Sequence, residues 1–433
     1  MESPGLVLVP AFLGCLALGV PIAISIGIAT VATMLVTIPT GPALTTAALR
    51  MATGIDSFAL LAIPFFILSG QLISHGGMAR RLIDFAKALV GGLPGGLAFV
   101  NILASMFFGT ISGSAVAATS AVGGFMIPSM ENEGYDRDYS VAVTMTGSVT
   151  GLLIPPSNVL IVYSLASGGV SIAALFVAGY VPGILLGLSL MLVAGWIAAR
   201  RGYPVERRQG LRAGTRAFFG AAPSLLLIVI VMGGIVAGVF TATEASAIAV
   251  VYSLVLAVLV YREVTVGDLP RILVSSTETT AIVMLLIATS TALSWILSYQ
   301  NIPRELTGFL LSFTESRVVI LLFINLLLLA VGTFLDITPA VLIFTPIFLP
   351  VAQELGITPL HFGMMMVLNL CIGLCTPPVG SILFVGCGIG RTSVPRTSKA
   401  LLPFYAVMVL VLFLVTYLPG LSEGLPRSLG YAF

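Results

Sequence analysis

Apolar runs broken by short Gly, Pro and charged segments recur from one end of the chain to the other. Most reach about 18 residues, the length that crosses roughly 30 Å of hydrocarbon. They predict membrane-crossing helices over residues 4–19, 21–38, 54–75, 139–166, 171–199, 220–238, 242–261, 272–299, 361–388 and 400–420. Two further apolar stretches, 93–130 and 318–350, are too long for one crossing. The first breaks at Gly109-Thr110-Ile111-Ser112-Gly113-Ser114, the second at Gly332-Thr333-Phe334-Leu335-Asp336. Two full crossings joined by a tight turn are one solution, and two half-length helices meeting at mid-membrane are another. The remaining charges gather at the ends of these stretches, which favours the second, a re-entrant helical hairpin in each.

The chain also repeats itself. GLLIPPSNVLIVY from Gly151 aligns with GLCTPPVGSILFV from Gly373, an offset of 222, and the same offset carries Phe125-Met126-Ile127-Pro128 onto Ile347-Phe348-Leu349-Pro350. Gly109-Thr110 maps onto Gly332-Thr333 one residue out of step, and Gly19-Val20 resembles Gly238-Val239. Each half then has five crossings and one hairpin. An odd number of crossings turns the second half upside down, the inverted-repeat plan of many secondary transporters. The expected fold is an all-α polytopic membrane protein: a first repeat at 1–199, a linker at 200–219 and a second repeat at 220–433.

Composition sharpens this picture. With 58% hydrophobic and 8% charged residues, against about 25% charged in soluble domains, the chain cannot build an ordinary polar surface. Nineteen basic and 17 acidic residues leave no excess charge for nucleic acid, so that class is set aside. The N-terminus lacks the basic region of a cleaved signal and carries Glu2, which reads as the start of a retained helix. Charge also orients the chain. Arg80, Arg81, Lys87, Arg137, Arg200, Arg201, Arg207, Arg208, Arg212, Arg216, Arg262, Arg271, Arg391, Arg396 and Lys399 fall on one side, and Arg50, Arg304, Arg317 and Arg427 on the other. The positive-inside rule makes the larger set cytoplasmic and places both termini in the periplasm of a bacterial inner membrane.

A transporter needs an ion site near the midplane without a cage of buried charges. Interrupted helices supply one, because their N-termini favour an anion and their unwound carbonyls a cation. Four interruptions occur in matched pairs: the two hairpin breaks and the steps Pro155-Pro156 and Pro377-Pro378. Proline removes a backbone donor and disfavours helix at the residue before it, so a double proline should open the helix. Ser148, Thr150, Ser157 and Asn158 surround the first opening, and Thr376 and Ser381 the second; these neutral oxygens suit Na⁺. Ser112-Gly113-Ser114 offers two hydroxyls and close backbone approach. Asp336 lies deep in its stretch, where an unpaired carboxylate is costly, so a cation ligand or proton carrier is expected there. Glu244 and Glu278 lie near membrane faces and read as caps or snorkelling groups. His75 and His361 sit at segment ends, and Cys15, Cys371, Cys375 and Cys387 read as small packing or lipid-facing residues rather than a metal site. No phosphate-loop motif is present, so ATP does not drive the chain. Gly420-Leu421-Ser422-Glu423-Gly424 matches the GxSxG nucleophile pattern, but no strand precedes it and no paired catalytic acids accompany it, so an intramembrane enzyme is not expected.

The set SGSAVA from Ser112, IPPS from Ile154, GVFTATE from Gly238, GTFLD from Gly332, IFTPIFLP from Ile343 and TPPVG from Thr376 resembles the large membrane subunit of tripartite ATP-independent periplasmic (TRAP) transporters, over nearly the whole chain. The resemblance implies an elevator-type fold with a mobile transport domain built on the two hairpins. It also implies a small four-helix membrane subunit, a periplasmic substrate-binding protein, and Na⁺-driven uptake of carboxylates such as C4-dicarboxylates, sialic acid or other sugar acids. No cofactor is implied beyond Na⁺ as coupling ion. Nothing in these residues reads as a fused small subunit, so a separate one is expected. Carried over residue by residue, the candidates for ion or substrate binding are Ser112, Gly113, Ser114, Gly332 and Asp336 at the hairpins, and Pro156, Ser157, Asn158, Thr376 and Pro378 at the broken helices. Two positions depart from the family pattern: Ala242 stands where proline is frequent, and Ala118 where many members have aspartate, which weakens the case for a side-chain ligand there. A stand-alone ion-coupled carrier of similar fold is the alternative reading.

Overall fold

The structure, a computed structural model, describes residues 5–205, 210–314 and 316–433. Glu2, Arg207 and Arg208 therefore lie outside the described residues. Every assigned element is helical. The first half contains α1 (Gly5–Ala17), α2 (Ile22–Thr37), α3 (Thr40–Gly54), α4 (Ala62–His75, entered through a 3-10 turn at Phe58–Leu61), α5 (Met78–Val90), α6 (Gly96–Ser112), α7 (Ala115–Asn132), α8 (Arg137–Leu153), α9 (Asn158–Ala166) and α10 (Ile172–Arg201). The second contains α11 (Leu211–Val236), α12 (Ala242–Leu254, continued by a π-helical turn at Val255–Val260), α13 (Leu269–Tyr299), α14 (Ile302–Phe313), α15 (Arg317–Gly332), α16 (Ile337–Glu354), α17 (Pro359–Gly373), α18 (Ser381–Ile389), α19 (Val394–Tyr417) and α20 (Gly420–Ser428).

The helix starts recur at the offset seen in the sequence, because the capping residues recur. Asp136 caps α8 by accepting from the Tyr139 amide at 2.9 Å, and Thr358, at the equivalent position, caps α17 by accepting from His361 N at 3.1 Å. Ser171 and Ser393 precede α10 and α19, and Ser114 and Asp336 precede α7 and α16. The side-chain oxygens of Ser114, Asp136, Ser171 and Thr358 each satisfy one orphan amide of the first turn; Asp336 and Ser393 hold the same position without that bond.

Seven described helices are long and apolar enough to cross a membrane, or eight if α8 and α9, bent by 50°, count as one. Leu18, Leu192 and Phe219 are 84%, 75% and 73% exposed on their outer faces, surface that suits lipid rather than water. The expected ten crossings are thus not ten unbroken helices: α1, α2 and α17 are apolar but shorter than a span, the last because the double proline cuts it from α18. Helices α3, α5, α14 and α20 lie between or beyond the expected spans. The reason is visible in α5, whose buried Met78, Ala79, Leu82, Ile83 and Ala86 share one side while Arg80 and Arg81 keep the whole too polar to read as a crossing. The linker between halves is also shorter than 200–219, since α10 runs to Arg201 and α11 begins at Leu211.

Two sets of helices pack together. In one, α6 lies along α8, α7 against α18, α16 against α9, and α10 and α17 against α19. Each hairpin's second arm therefore packs on the short helix of the other half. In the other set, α13 packs on α2 and α3, α4 on α12, and α11 on α5 and α12, while α13 and α14 meet α16.

Candidate functional site

The first hairpin turns later than the sequence suggests. Helix α6 continues through Gly109, Thr110 and Ile111 to Ser112, and the chain reverses at Gly113 and Ser114. Gly109 is helical for a packing reason: a Cβ there would lie 2.7 Å from the Gly151 Cα, so the two glycines let α6 and α8 touch backbone to backbone. Gly332 and Gly373 repeat the arrangement between α15 and α17, where a Cβ on Gly373 would lie 2.6 Å from the Gly332 Cα. Gly332 is thus a packing residue behind the second tip and not part of the turn. Buried amides add to these seams: Asn101 Nδ2 donates to Thr144 Oγ1 at 2.7 Å, and Asn369 Nδ2 to Asn325 Oδ1 at 2.8 Å.

Both double prolines open their helices. Helix α8 stops at Leu153 and α9 starts at Asn158; α17 stops at Gly373 and α18 starts at Ser381. The first opening is buried throughout, whereas Pro378 and Val379 in the second are exposed.

The two tips and the two openings meet on one cavity of about 220 Å³. It is lined by Ser112, Gly113 and Ser114 from the first tip, Asp336 and Thr338 from the second, and Asn158 and Ser381 at the starts of α9 and α18. First-turn residues of α7, α9, α16 and α18 all contribute, so the positive ends of four helix dipoles gather at one place, which suits an anion. Oxygen ligands for a cation lie beside them. Asp336, at the N-cap position of α16, lines the cavity and accepts from the Ser381 hydroxyl at 3.3 Å. Ser114 caps α7 by accepting from Ala117 N at 3.2 Å. Asn158 Oδ1, on the cavity wall, is buried with no hydrogen-bond partner among the described residues, which marks it as an oxygen available to a ligand; Ser157 Oγ beside it is unpartnered too. Gly113, with φ +63°, lets the Asn158 amide approach; a Cβ there would sit 3.2 Å from Nδ2.

Of the other candidates, Ser148 and Thr150 donate to the Thr144 and Gly147 carbonyls within α8, and Thr376 to Ile372 O at 2.8 Å, so their hydroxyl protons serve the helix ends. Pro156, Ser157, Gly332, Thr376 and Pro378 stand behind the cavity rather than on its wall. Gln71 and Ser74 of α4 and Thr279 of α13 also line it, beyond the residues to which the sequence points. Their signal was present, since Gln71 and Ser74 lie three residues apart on one face of an otherwise apolar helix. A larger cavity of about 380 Å³ between α1, α2, α13, α15 and α16 has only aliphatic and aromatic walls and offers nothing to an ion.

His361, expected at an interface, is instead 1% exposed; Nδ1 lies 2.7 Å from Ser422 Oγ and Nε2 3.1 Å from Thr416 O. Ser422 is the serine of the GxSxG match, yet it is fully buried on α20, and the second imidazole nitrogen of His361 faces a carbonyl. It is a buried brace between α17 and α20. Glu423 completes the brace, accepting from Thr358 Oγ1 at 2.5 Å and from Arg427 at 2.6 Å. Glu244 forms a reciprocal capping box with Thr241 at the start of α12. Cys371, Cys375 and Cys387 are buried packing residues.

Comparison with known proteins follows the same lines. The family model for the tripartite ATP-independent periplasmic transporter, DctM component, matches residues 9–421. The chain is 54% identical to the uncharacterized protein YgiK of Salmonella typhimurium, covering 98% of this chain and 97% of that one. It is 40% identical to the C4-dicarboxylate TRAP transporter large permease protein DctM of Rhodobacter capsulatus, over 95% and 96% of the two chains. It is 38% identical to the sialic acid TRAP transporter large permease protein SiaM of Vibrio cholerae, over 97% and 98%. The Alcanivorax borkumensis YdaH transporter shares the fold at 15% identity, with a TM-score of 0.65 over 98% of this chain and all of that one. A transporter fold, broken helices gathered on one cavity and full-length similarity agree: the chain belongs to the TRAP transporter DctM family, as a large permease subunit.

Proposed function

We propose that this permease subunit imports a small organic anion, of the C4-dicarboxylate, sialic acid or sugar-acid type, in symport with Na⁺. The observation that carries the reading is the meeting of Ser112–Ser114, Asn158, Asp336 and Ser381 on one cavity, with four helix N-termini for an anion and a carboxylate with neutral oxygens for a cation. The two halves are read as inverted repeats, both termini as periplasmic, and the set containing the hairpins as the moving part of an elevator. Gln71, Ser74 and Thr279 lie in the halves of α4 and α13 that the charge pattern makes cytoplasmic, so the cavity is taken to open inward. A separate small membrane subunit and a periplasmic substrate-binding protein complete the system; the isethionate relative DctMQ, of whose length this chain spans 64%, is in keeping with a joined pair of membrane subunits.

The test is uptake into proteoliposomes holding both membrane subunits, with binding protein and acid outside and a Na⁺ gradient directed inward. Asp336→Asn keeps the shape of the site and removes its charge. Uptake should fall at least about tenfold or lose its dependence on Na⁺, because the substitution takes away the one carboxylate among the described residues that lines the cavity, and so the charged partner of a bound cation. Normal uptake with unchanged Na⁺ dependence would remove Asp336 from the ion site. Uptake by the chain alone, unchanged by the other components, would favour a stand-alone carrier.

A further inference from the structure

A second polar cavity, of about 330 Å³, lies where the ends of α3 and α9 meet the C-terminal half of α13 and the hairpin arm α16. Its polar wall is made by Arg50, Thr53, Ser57, Ser290, Thr291 and Ser294, and it contains no acidic residue. Ser290 is 2% exposed and its hydroxyl has no hydrogen-bond partner. A buried hydroxyl left so costs about 1–3 kcal/mol, and a ligand oxygen in the cavity relieves it. Thr53 and Thr291 by contrast donate to Leu49 O and Ile287 O within their own helices. The Arg50 guanidinium lies over the Trp295 ring at 5.5 Å and makes no ion pair among the described residues. One free guanidinium, one unused buried donor and no competing carboxylate form a receptor for a carboxylate. The volume suits a small acid.

Helix α13 connects this cavity to the tip cavity. Thr279 and Val283 line the one, and Ser290 and Ser294 the other. These positions share a face, and Ser290 lies eleven helical steps beyond Thr279, about 17 Å along the axis. Both cavities also touch the second hairpin, through Asp336 in one and Leu342 and Pro346 in the other.

We propose that the Arg50–Ser290 cavity is a second binding site for the organic acid on the side opposite the tip cavity, where Arg50 pairs with a carboxylate and Ser290 donates to it. The ligand class rests on the organic-anion reading above, but the test does not depend on transport. The chain has two tryptophans, so Trp196→Phe leaves Trp295, stacked under Arg50, as this chain's one indole reporter. This variant, in lipid vesicles with the small membrane subunit whose own tryptophans are replaced by Phe, is titrated with succinate and with N-acetylneuraminate while indole emission is recorded; succinamide is the uncharged control.

At least one acid should give a saturable change that succinamide does not. Arg50→Gln should weaken half-saturation about tenfold or more, Arg50→Lys less, and Ser290→Ala, which removes only a hydroxyl, severalfold. Asp336→Asn should leave the response in place while it impairs Na⁺-dependent uptake, so failure of the tip site and failure of this one are separable. The proposal is overturned if neither acid gives a saturable response, if Ser290→Ala and Arg50→Lys bind as the parent does, or if Asp336→Asn abolishes the signal.

Discussion

The contact between Gly332 and Gly373 makes a quantitative prediction about the site in front of it. Gly332 lies four residues before Asp336, and Gly373 three before Thr376, so this seam sets how the second tip sits against its broken helix. A Cβ on Gly373 would stand 2.5 Å from the Gly332 carbonyl carbon and 2.6 Å from its Cα. Carbon atoms pack at about 3.5–4.0 Å, so Gly373→Ala must push α15 from α17 by about 1 Å. Backbone atoms cannot rotate aside as a side chain would. Overpacking of this kind costs about 1–3 kcal/mol, and the displacement passes directly to Asp336. The matched control is Gly388→Ala on α18, where a Cβ meets nothing within 4 Å and removal of a helical glycine should be neutral or stabilise by up to about 1 kcal/mol. Thermal unfolding of the purified complexes and the Na⁺ concentration for half-maximal uptake are the two readouts. Gly373→Ala should unfold several degrees lower and need several times more Na⁺, with Gly388→Ala near the parent in both. Equal behaviour of the two variants would show that the seam yields and does not position the tip.

Ser114→Ala should reduce uptake less than Asp336→Asn, because it removes a neutral cap worth about 0.5–2 kcal/mol and no charge, and a larger loss in parallel uptake assays would reverse the ranking. Glu244→Gln should keep its capping contacts with Thr241 and leave Na⁺ dependence unaltered; a changed dependence would make Glu244 more than a cap. Asn369→Leu should lower stability by about 0.6–1.7 kcal/mol by unpairing Asn325, as read by unfolding midpoint against Asn325→Leu and the double variant. A cysteine at Thr215, in a Cys15→Ser background, should resist an impermeant thiol reagent added outside spheroplasts; rapid labelling would overturn the orientation drawn from the basic residues.

Much of this architecture is legible in the sequence because lipid enforces simple rules. Long apolar runs give α10, α13 and α19 to within a few residues at most ends, and the double prolines give both openings: single prolines such as Pro182 and Pro403 stay inside their helices, whereas two in succession remove adjacent backbone donors and break them. What escapes is what depends on a neighbour. Gly109 reads as a turn residue but is helical because Gly151 packs against it, and His361 reads as interfacial until Ser422 and Thr416 close around it. Amphipathic α5 and α14 fail a test built for spans, and Gln71 and Thr279 join the site only once α4 and α13 are placed beside the tips.

Ser114 and Asp336 occupy the same place in the two hairpins, one neutral and one a carboxylate, and this inequality has an electrical consequence. With one monovalent cation at each tip and a monoanionic acid between them, the charges at the site, including Asp336, cancel. On the proposed elevator reading the loaded state would then cross the bilayer as a neutral body, indifferent to the membrane potential. Emptied, it would carry only the negative charge of Asp336. A potential negative inside expels that charge outward, at about 2.3 kcal/mol per 100 mV for a full crossing. Voltage would therefore act on the return of the empty carrier rather than on the passage of its cargo, and a dianionic acid would shift part of that work back onto the loaded step.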